Sequence, residues 1–313
     1  MRYLVTGGAG FIGSNMVDEL VRRGQEVTVL DDFSSGKEAN LSNVHGKIRL
    51  IRGSICDFEA AREACNGADY VLHLAARTSV PRSVKDPIET NHINVEGTLN
   101  VLVAARDAKV RRIVFAASSS AYGETNAQPK VETMPAEPIS PYGVTKLAGE
   151  LYAHVFGRVY GLENVSMRYF NVFGPRQDPT SQYSGVLSRF MLAMLEGISP
   201  VVYGDGEQSR DFTFVDNVVD ASLRACEAPG ASGKVFNGGT GLRITLNEVL
   251  KLLGKICGRP IRAKYDAPRP GDILHSQADI TRSRQVLRYE PLVNFEEGLR
   301  QTWAWYSAAY AKK

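Results

Sequence analysis

A glycine-rich turn between an apolar run and a helical pattern constrains the fold of this chain more than any other feature. Residues 3–13 read YLVTGGAGFIG, in which Gly8, Gly10 and Gly13 have the spacing GxGxxG. Glycine lets the turn take positive φ and lets its backbone approach a pyrophosphate, which the amides of the following helix then face. Asp31 stands 21 residues after Gly10, at the end of the next apolar run, where a carboxylate can bind ribose hydroxyls. The pattern therefore predicts a strand, turn and helix that bind a dinucleotide.

The residues beside Asp31 indicate which dinucleotide is bound. Asp32 and Phe33 follow it, and neither carries a positive charge. A carboxylate at this position repels the 2′-phosphate of NADP, which such folds accommodate with a nearby arginine. We therefore expect NAD rather than NADP.

Short apolar runs alternate with longer amphipathic stretches through the first half of the chain. The predicted strands are Arg2–Thr6, Glu26–Leu30, Lys47–Arg52, Tyr70–His73, Ile113–Ala117 and Val165–Arg168. The predicted helices between them include Phe11–Arg23, Ile88–Ala108 and Pro141–Tyr160. This alternation is typical of βαβ crossovers, so the expected fold class is α/β with a Rossmann-like, doubly wound parallel sheet.

Beyond Arg168 the rhythm changes to loops rich in glycine, proline and polar residues, with a few helices between them. The length of 313 residues suits one large or two modest domains. We expect an NAD-binding domain over residues 1–168, to which the chain returns around 211–240. Residues 169–210 and 241–313 then form a smaller, loop-rich α/β lobe for the substrate, at the carboxyl edge of the sheet.

Composition excludes several other classes of protein. The net charge of +3 leaves no strong electrostatic footprint for nucleic acid, and no apolar stretch reaches the roughly 18 residues of a membrane span. Four scattered cysteines indicate reduced thiols and a cytoplasmic protein, and five scattered histidines lack the spacing of a metal site. We expect a small-molecule substrate and no nucleic acid, membrane or metal partner.

A second pattern combines a serine, a tyrosine and a lysine. Ser118 follows the fifth predicted strand, and Tyr142 and Lys146 lie four residues apart in the helix that Pro141 begins. That spacing puts the phenol and the ammonium on one helix face. A phenol with a pKa of about 10 needs nearby positive charge to ionise near neutral pH, which Lys146 and an oxidised nicotinamide can provide together. The pattern predicts acid–base chemistry next to the dinucleotide.

Three stretches, TGGAGFIG, SSSAYG and SPYGVTK, resemble those of the extended short-chain dehydrogenase/reductase family. Within it the chain is most similar to nucleotide-sugar 4-epimerases, in particular the bacterial UDP-N-acetylglucosamine and UDP-glucose 4-epimerases. The resemblance implies an isomerase in which hydride passes from the sugar C4 to NAD and returns to the opposite face. It also implies that Ser118 orients the substrate hydroxyl, Tyr142 is the base, and Lys146 holds the nicotinamide ribose and lowers the pKa of the phenol. A homodimer formed through the helices Ile88–Ala108 and Pro141–Tyr160 is implied as well.

The resemblance further implies two sets of binding residues. Those for NAD are Gly7, Gly10, Phe11, Ile12, Gly13, Asp31, Ser54, Ile55, Leu74, Ala75, Ala76, Asn94, Tyr142 and Lys146. Those for the UDP-sugar are Ser118, Ser119, Asn171 and Val186, with Tyr203 for uracil, Arg210 and Arg269 for the diphosphate, Asp272 for the ribose and Ser276 for the sugar. Ser54 stands where the family usually has an aspartate beside the adenine, and Asn94 is the family's structural asparagine. The two arginines suit bidentate recognition of a diphosphate.

Three positions bear on the choice of substrate. Ser119 and Ser120 stand where the related 4,6-dehydratases carry aspartate and glutamate, so dehydration lacks its proton donors. Ser276 stands where a tyrosine restricts the family's pocket to glucose and galactose, so its small side chain favours a 2-acetamido sugar and still admits a plain hexose. Hydroxyls such as that of Thr78 could bind a carboxylate, which makes a UDP-glucuronate 4-epimerase or decarboxylase an alternative. A catalytically silent sensor or scaffold that binds NAD or a nucleotide sugar is an alternative of another class.

Overall fold

The structure, a computed structural model, describes residues 1–125, 127–179, 185–268 and 274–310. Its strands are β1 (Arg2–Thr6), β2 (Glu26–Asp31), β3 (Arg49–Arg52), β4 (Tyr70–His73), β5 (Arg112–Ser118), β6 (Glu163–Tyr169), β7 (Val172–Phe173), β8 (Val201–Tyr203), β9 (Ser209–Arg210), β10 (Thr213–Phe214), β11 (Lys234–Gly238), β12 (Ile244–Thr245), β13 (Lys264–Asp266) and β14 (His275–Ser276). Its α-helices are α1 (Phe11–Arg22), α2 (Phe58–Cys65), α3 (Val80–Lys85), α4 (Pro87–Asn91), α5 (Gly97–Asp107), α6 (Pro141–Tyr160), α7 (Val186–Leu195), α8 (Val215–Glu227), α9 (Leu246–Cys257) and α10 (Phe295–Tyr310).

Seven of these strands form one parallel sheet in the order β11-β6-β5-β4-β1-β2-β3. Helices cover both of its faces, so successive residues of a central strand, which point to opposite faces, are both buried. In β1, Tyr3 and Val5 join the core that α1 and α8 cover, whereas Leu4 joins the core that α2, α5 and α6 cover. The predicted Rossmann-like, doubly wound parallel sheet is confirmed.

Some elements differ from those predicted. The strand β3 begins at Arg49 rather than Lys47. The helical path expected over Ile88–Ala108 contains a π-helical turn, His92–Glu96, between α4 and α5, and such turns are frequent at functional sites. The strand β11 pairs with β6 at the edge of the sheet, although its five residues include too few apolar side chains to be noticed in the sequence.

The smaller lobe has a core of its own. Side chains from α7, α9 and α10 pack there around a group of phenylalanines. The ring centroid of Phe173 lies 5.6 Å from that of Phe214 and 5.4 Å from that of Phe295. Phe173 and Phe214 are also paired in register on β7 and β10. This packing fixes the segment that follows β6 at the carboxyl edge of the main sheet.

Candidate active site

A cleft of about 790 Å³ runs along the carboxyl edge of the main sheet. It is lined by most of the residues predicted to bind NAD: Gly7, Gly10, Phe11, Ile12, Gly13, Asp31, Ile55, Leu74, Ala75, Ala76, Tyr142 and Lys146. Ser54 and Asn94 line neither this cleft nor the cavity beside it. The carboxyl ends of parallel strands therefore gather residues from distant parts of the chain, as expected for an α/β sheet.

The residues predicted to bind the sugar divide between two cavities. The cleft is also lined by Ser118, Ser119, Asn171, Arg210 and Ser276. An adjoining cavity of about 380 Å³ shares two of these residues with it, and is lined as well by Val186 and Tyr203. Arg269 and Asp272 lie outside the residues that the structure describes.

The glycine turn leaves no room for a side chain at Gly7 or Gly13. Gly7 has a φ of +70°, and a Cβ on Gly13 would collide with the Gly7 carbonyl oxygen. Gly10 is the N-cap of α1 and provides no side-chain cap, so the first amides of this helix have no capping acceptor. A turn with this close backbone approach and these amides fits a pyrophosphate.

Asp31, the last residue of β2, lies buried beside this turn. Its carboxylate accepts hydrogen bonds from the amides of Ala9 and Phe33, each at 2.8 Å. Burial raises the pKa of Asp31, and the two amides act in the opposite direction. The amides fix the carboxylate at the wall of the cleft, where its remaining lone pairs can accept from ribose hydroxyls.

Ser54 and Asn94 bond to the protein itself. Ser54 Oγ accepts from the Cys56 amide at 3.2 Å. Asn94 Oδ1 accepts from the Arg77 amide at 2.7 Å, and Asn94 Nδ2 donates to the Arg77 carbonyl at 3.0 Å. Asn94 Nδ2 also donates to Thr145 Oγ1 at 3.0 Å. Asn94 thus joins the loop after β4 to α6.

Ser118 ends β5 and caps the 3₁₀ turn Ser119–Tyr122. Its Oγ accepts from the Ser120 amide at 3.1 Å and from the Ser120 hydroxyl at 2.8 Å. Because both bonds are accepted, the hydroxyl proton of Ser118 remains to be donated elsewhere in the cleft.

Tyr142 and Lys146 lie in the first two turns of α6, which Ser140 caps and Pro141 begins. Burial raises the pKa of Tyr142, and a hydrogen bond with the Ser118 side chain lowers it. Burial lowers the pKa of Lys146 to about 8. Lys146 Nζ donates to the Ala116 carbonyl at 2.8 Å, which anchors the ammonium to the strand that ends in the serine.

On the opposite side of the cleft, β9 and β14 place Arg210 and Ser276 next to each other in register. Arg210 Nη1 donates to the Leu274 carbonyl at 3.1 Å, so the guanidinium is held on its strand pair. Asn171 has a φ of 30°, and its Nδ2 donates to the Asp211 carbonyl at 3.1 Å. These three side chains come from segments that only the folded lobe brings together.

The sequence predicted a polar loop beyond Gly174 but no site residue within 174–178, part of which lines the cleft. Arg176 Nη2 donates to Asp18 Oδ2 of α1 at 2.5 Å. Asp178 pairs with Lys37, which follows β2, at 3.1 Å. The loop is thus tied to the main sheet's side of the cleft at two points.

Gln177, in the middle of this loop, is fixed by three contacts within the smaller lobe. Its Oε1 accepts from Ser188 Oγ at 2.8 Å, and its Nε2 donates to the Val172 carbonyl at 3.2 Å. The Tyr306 hydroxyl of α10 donates to the Gln177 carbonyl at 2.5 Å. No periodic pattern in the sequence marks this loop, and only its polar composition could have drawn attention to it.

The family profile described as "NAD dependent epimerase/dehydratase family" matches residues 3–239, a span that includes the glycine turn, Ser118, Tyr142 and Lys146. The chain belongs to this family. The predicted resemblance is therefore confirmed, and so is NAD as the cofactor of the family.

Relatives of this chain match nearly its whole length. The UDP-glucose 4-epimerase of Mycolicibacterium smegmatis is 40% identical over 306 residues, which are 96% of this chain and 97% of the relative. A crystal structure of UDP-glucose 4-epimerase with UDP-glucose from Thermotoga maritima has a TM-score of 0.93 at 40% identity and covers 99% of both chains. The UDP-N-acetylglucosamine 4-epimerase from Methanobrevibacter ruminantium M1, in complex with UDP-N-acetylmuramic acid, has a TM-score of 0.94 at 40% identity and covers 98% of both chains.

The cleft fits NAD on its own geometry. The glycine turn admits no side chain at Gly7 or Gly13, and the first amides of α1 have no side-chain acceptor. Asp31 is fixed at the end of the neighbouring strand, β2, where such folds place the carboxylate that binds the adenine ribose. In the part of the chain that the structure describes, every helix is too short or too polar to cross a lipid bilayer.

Proposed function

We propose that this protein is an NAD-dependent 4-epimerase that interconverts UDP-N-acetylglucosamine and UDP-N-acetylgalactosamine and also acts on UDP-glucose and UDP-galactose. The observation that carries the proposal is that Ser118, Tyr142 and Lys146 line the same cleft as the glycine turn. Ser119 and Ser120 line it where a dehydratase needs acids. The complete catalytic set argues against a silent sensor, which has no use for it.

In the proposed reaction, Tyr142 takes the proton of the sugar 4-hydroxyl and returns it after the sugar has turned over. Ser118 accepts two hydrogen bonds from Ser120, so its own proton is directed towards the sugar oxygen or the phenol. Lys146, anchored to the Ala116 carbonyl, keeps a positive charge on the same helix face as the phenol and favours the phenolate. Bound NAD supplies the oxidation and re-reduction at C4.

The nucleotide part of the substrate is assigned to the smaller lobe. We place uracil in the cavity of about 380 Å³ against Tyr203, because apolar side chains such as those of Phe173 and Phe212 contribute much of its lining. Arg210 lines both this cavity and the cleft, as a group that binds the diphosphate between base and sugar must do. Arg269 for the diphosphate and Asp272 for the ribose remain predictions from the sequence.

The chain is also proposed to divide into two domains. We propose that residues 1–168 and about 211–240 form the NAD-binding domain, and that 169–210 and 241–313 form the lobe for the nucleotide sugar. In support, β11 lies in the main sheet and α8 packs against it, whereas α7, α9 and α10 share the separate phenylalanine core.

The proposal is tested by incubating the purified protein, without added NAD, with UDP-N-acetylglucosamine, UDP-glucose and UDP-glucuronate separately. The anomeric proton signals followed by NMR report the conversion of each sugar. We expect the acetamido sugar to be converted, with UDP-glucose converted more slowly. Conversion of none of the three by protein that contains NAD would contradict the proposed function.

The glucuronate arm of this experiment addresses the second candidate function. Thr78, Ser119 and Ser120 all line the cleft, and their hydroxyls could bind the carboxylate of a uronic acid. A 4-epimerase of UDP-glucuronate would yield the galacturonate, whereas a decarboxylase would yield a pentose. Conversion of UDP-glucuronate alone would replace our substrate assignment by this one.

The size of residue 276 is expected to control which sugar is accepted. In S276Y the phenol fills the space beside Arg210, so we expect kcat/KM for UDP-N-acetylglucosamine to fall about 100-fold while that for UDP-glucose changes less than about threefold. The kcat/KM values for the two sugars are measured by the same NMR assay. S276A, which keeps the space, is the control, and an equal loss for both sugars in S276Y would contradict the assignment.

We also propose a cytoplasmic location, which the free cysteines favour.

The proposed protein partner is a second copy of the chain. Leu151, Val155 and Val159 form an exposed apolar stripe at i, i+4 and i+8 on α6, and Ile88 at the start of α4 is 82% exposed. We expect sedimentation to show a dimer that L151E converts to a monomer, because a buried carboxylate in the interface is costly. L292E, at an equally exposed leucine elsewhere, should leave the dimer intact, and a monomeric wild-type protein would contradict the proposal.

A further inference from the structure

A buried ion pair joins the helix that carries Tyr142 to the main sheet. Arg168 Nε donates to Glu150 Oε2 at 2.9 Å, and Arg168 Nη2 donates to Glu150 Oε1 at 2.6 Å. Only 4% of the arginine side chain and 8% of the glutamate side chain are exposed. Two parallel bonds between a planar guanidinium and a carboxylate fix orientation as well as distance.

Glu150 and Arg168 each lie on an element next to one of the proposed catalytic residues. Glu150 stands four residues after Lys146 and eight after Tyr142, so the three side chains follow one face of α6. Arg168 on β6 is paired in register with Ala117 on β5, directly before the serine that ends that strand. The ion pair therefore sets the position of α6 relative to the end of β5.

Arg168 also contacts the 3₁₀ turn that follows β5. The Arg168 guanidinium lies 4.4 Å from the centroid of the Tyr122 ring. The Tyr122 hydroxyl donates to Asn237 Oδ1 at 2.6 Å, and Asn237 is the register partner of Arg168 on β11. Asn237 Nδ2 in turn donates to the Lys130 carbonyl at 2.8 Å. Arg168 thus contacts both the helix with the phenol and the turn that begins at the strand-end serine.

Stability alone gives little reason for this arrangement. A buried ion pair often stabilises a fold no better than apolar side chains of the same volume, because both charges lose their hydration. Arg168 Nη1 is buried and has no hydrogen-bond partner among the described residues, which makes the arrangement less favourable still. Catalysis, by contrast, is sensitive to displacements of about 1 Å.

We propose that Glu150, Arg168 and Tyr122 are positioning residues, which hold the phenol of Tyr142 at its working distance from the Ser118 hydroxyl. This inference rests on the proposed function, because the distance matters for the proton transfer assigned to Tyr142. None of the three residues lines the cleft, so they act through the groups they hold.

A double variant separates an effect on the position of Tyr142 from an effect on the stability of the fold. E150Q leaves the arginine buried without its charge partner and is expected to lower the melting temperature and kcat together. In E150M/R168M no unpaired charge remains, so we expect the melting temperature to recover while kcat stays about 10- to 100-fold below wild type and KM changes less than about threefold. Y122F, which loses only a hydroxyl, should keep the fold and lower kcat by a smaller factor of about 3 to 10.

A control ion pair, with a buried arginine and a half-exposed glutamate, lies at the amino ends of the same two strands. Arg112 and Glu163 are paired in register on β5 and β6, and Arg112 Nη2 lies 2.7 Å from Glu163 Oε2. We expect E163Q to change the melting temperature and leave kcat within about twofold of wild type. A kcat within twofold of wild type in E150M/R168M, or an equal loss of kcat in E163Q, would overturn the proposal.

A readout that needs no turnover distinguishes failure of this inference from failure of the proposed function. In protein labelled with [13Cζ]tyrosine, the Tyr142 signal is assigned by its absence in Y142F, and its chemical shift reports the hydrogen bond with Ser118. We expect this signal to move in E150M/R168M and to stay in place in E163Q. An unmoved signal in the double variant would overturn the positioning role even if wild type converts UDP-sugars. Absence of conversion by wild type, with a moved signal, would refute only the epimerase assignment.

Discussion

Replacing Tyr142 by phenylalanine is expected to lower kcat for UDP-N-acetylglucosamine about 10³-fold, while the protein keeps its NAD. The variant loses the group to which the proposed reaction assigns the proton exchange with the sugar, and general acid–base catalysis contributes about 10²- to 10⁴-fold. Turnover is measured by NMR of the anomeric protons. The NAD content is measured from the absorbance of the nucleotide released on heating.

The control for this variant is Y152F. Tyr152 lies on the same helix and is 38% exposed, so the same chemical change there should leave turnover unaltered. Wild-type turnover in Y142F with normal NAD content would refute the assignment of the base. A loss of NAD together with activity would instead place the phenol's main contribution in cofactor binding.

Replacing Gly13 by alanine is expected to yield protein without bound NAD and without activity. The new methyl group would meet the Gly7 carbonyl oxygen, so the turn and the start of α1 must move apart. Overpacking of this kind costs about 1–3 kcal/mol of stability, and the displaced amides can no longer face the pyrophosphate. The NAD content of the purified variant and its melting temperature measure the two effects separately.

G254A provides the comparison, because Gly254 is also a helical glycine but lies in α9 of the smaller lobe. A Cβ there would have its nearest neighbour, the Arg259 carbonyl oxygen, at 3.2 Å, which a small shift can relieve. We expect G254A to keep its NAD and its turnover. A Gly13 variant that retained a full complement of NAD would show that this turn is not the pyrophosphate site.

The parts of the site that follow local spacing could be predicted from the sequence. The glycine turn depends on residues within one strand, one turn and one helix, and Asp31 ends the next strand of the same unit. Tyr142 and Lys146 follow from the helical repeat, and Ser118 from the end of an apolar run. The fold class follows for the same reason, because alternating strand and helix patterns leave few other arrangements.

The contacts that set the geometry could not be predicted, because their partners are far apart in the chain and neither partner belongs to a pattern. Arg176 and Asp18 are separated by 158 positions, and Tyr122 and Asn237 by 115. A polar residue next to a glycine, or a tyrosine after a strand, is common in any chain. Only the folded sheet reveals that these side chains meet.

The hydrogen bond from Tyr306 to the Gln177 carbonyl bears on the order in which parts of the protein fold during synthesis. It joins residues 129 positions apart, and α10, which contributes Tyr306, also completes the phenylalanine core of the smaller lobe. On a ribosome, the main sheet's strands emerge well before this helix does. The wall of the cleft formed by Gln177 can therefore reach its final place only late in synthesis, so a nascent chain can hold a nearly finished sheet while the cleft still lacks one side.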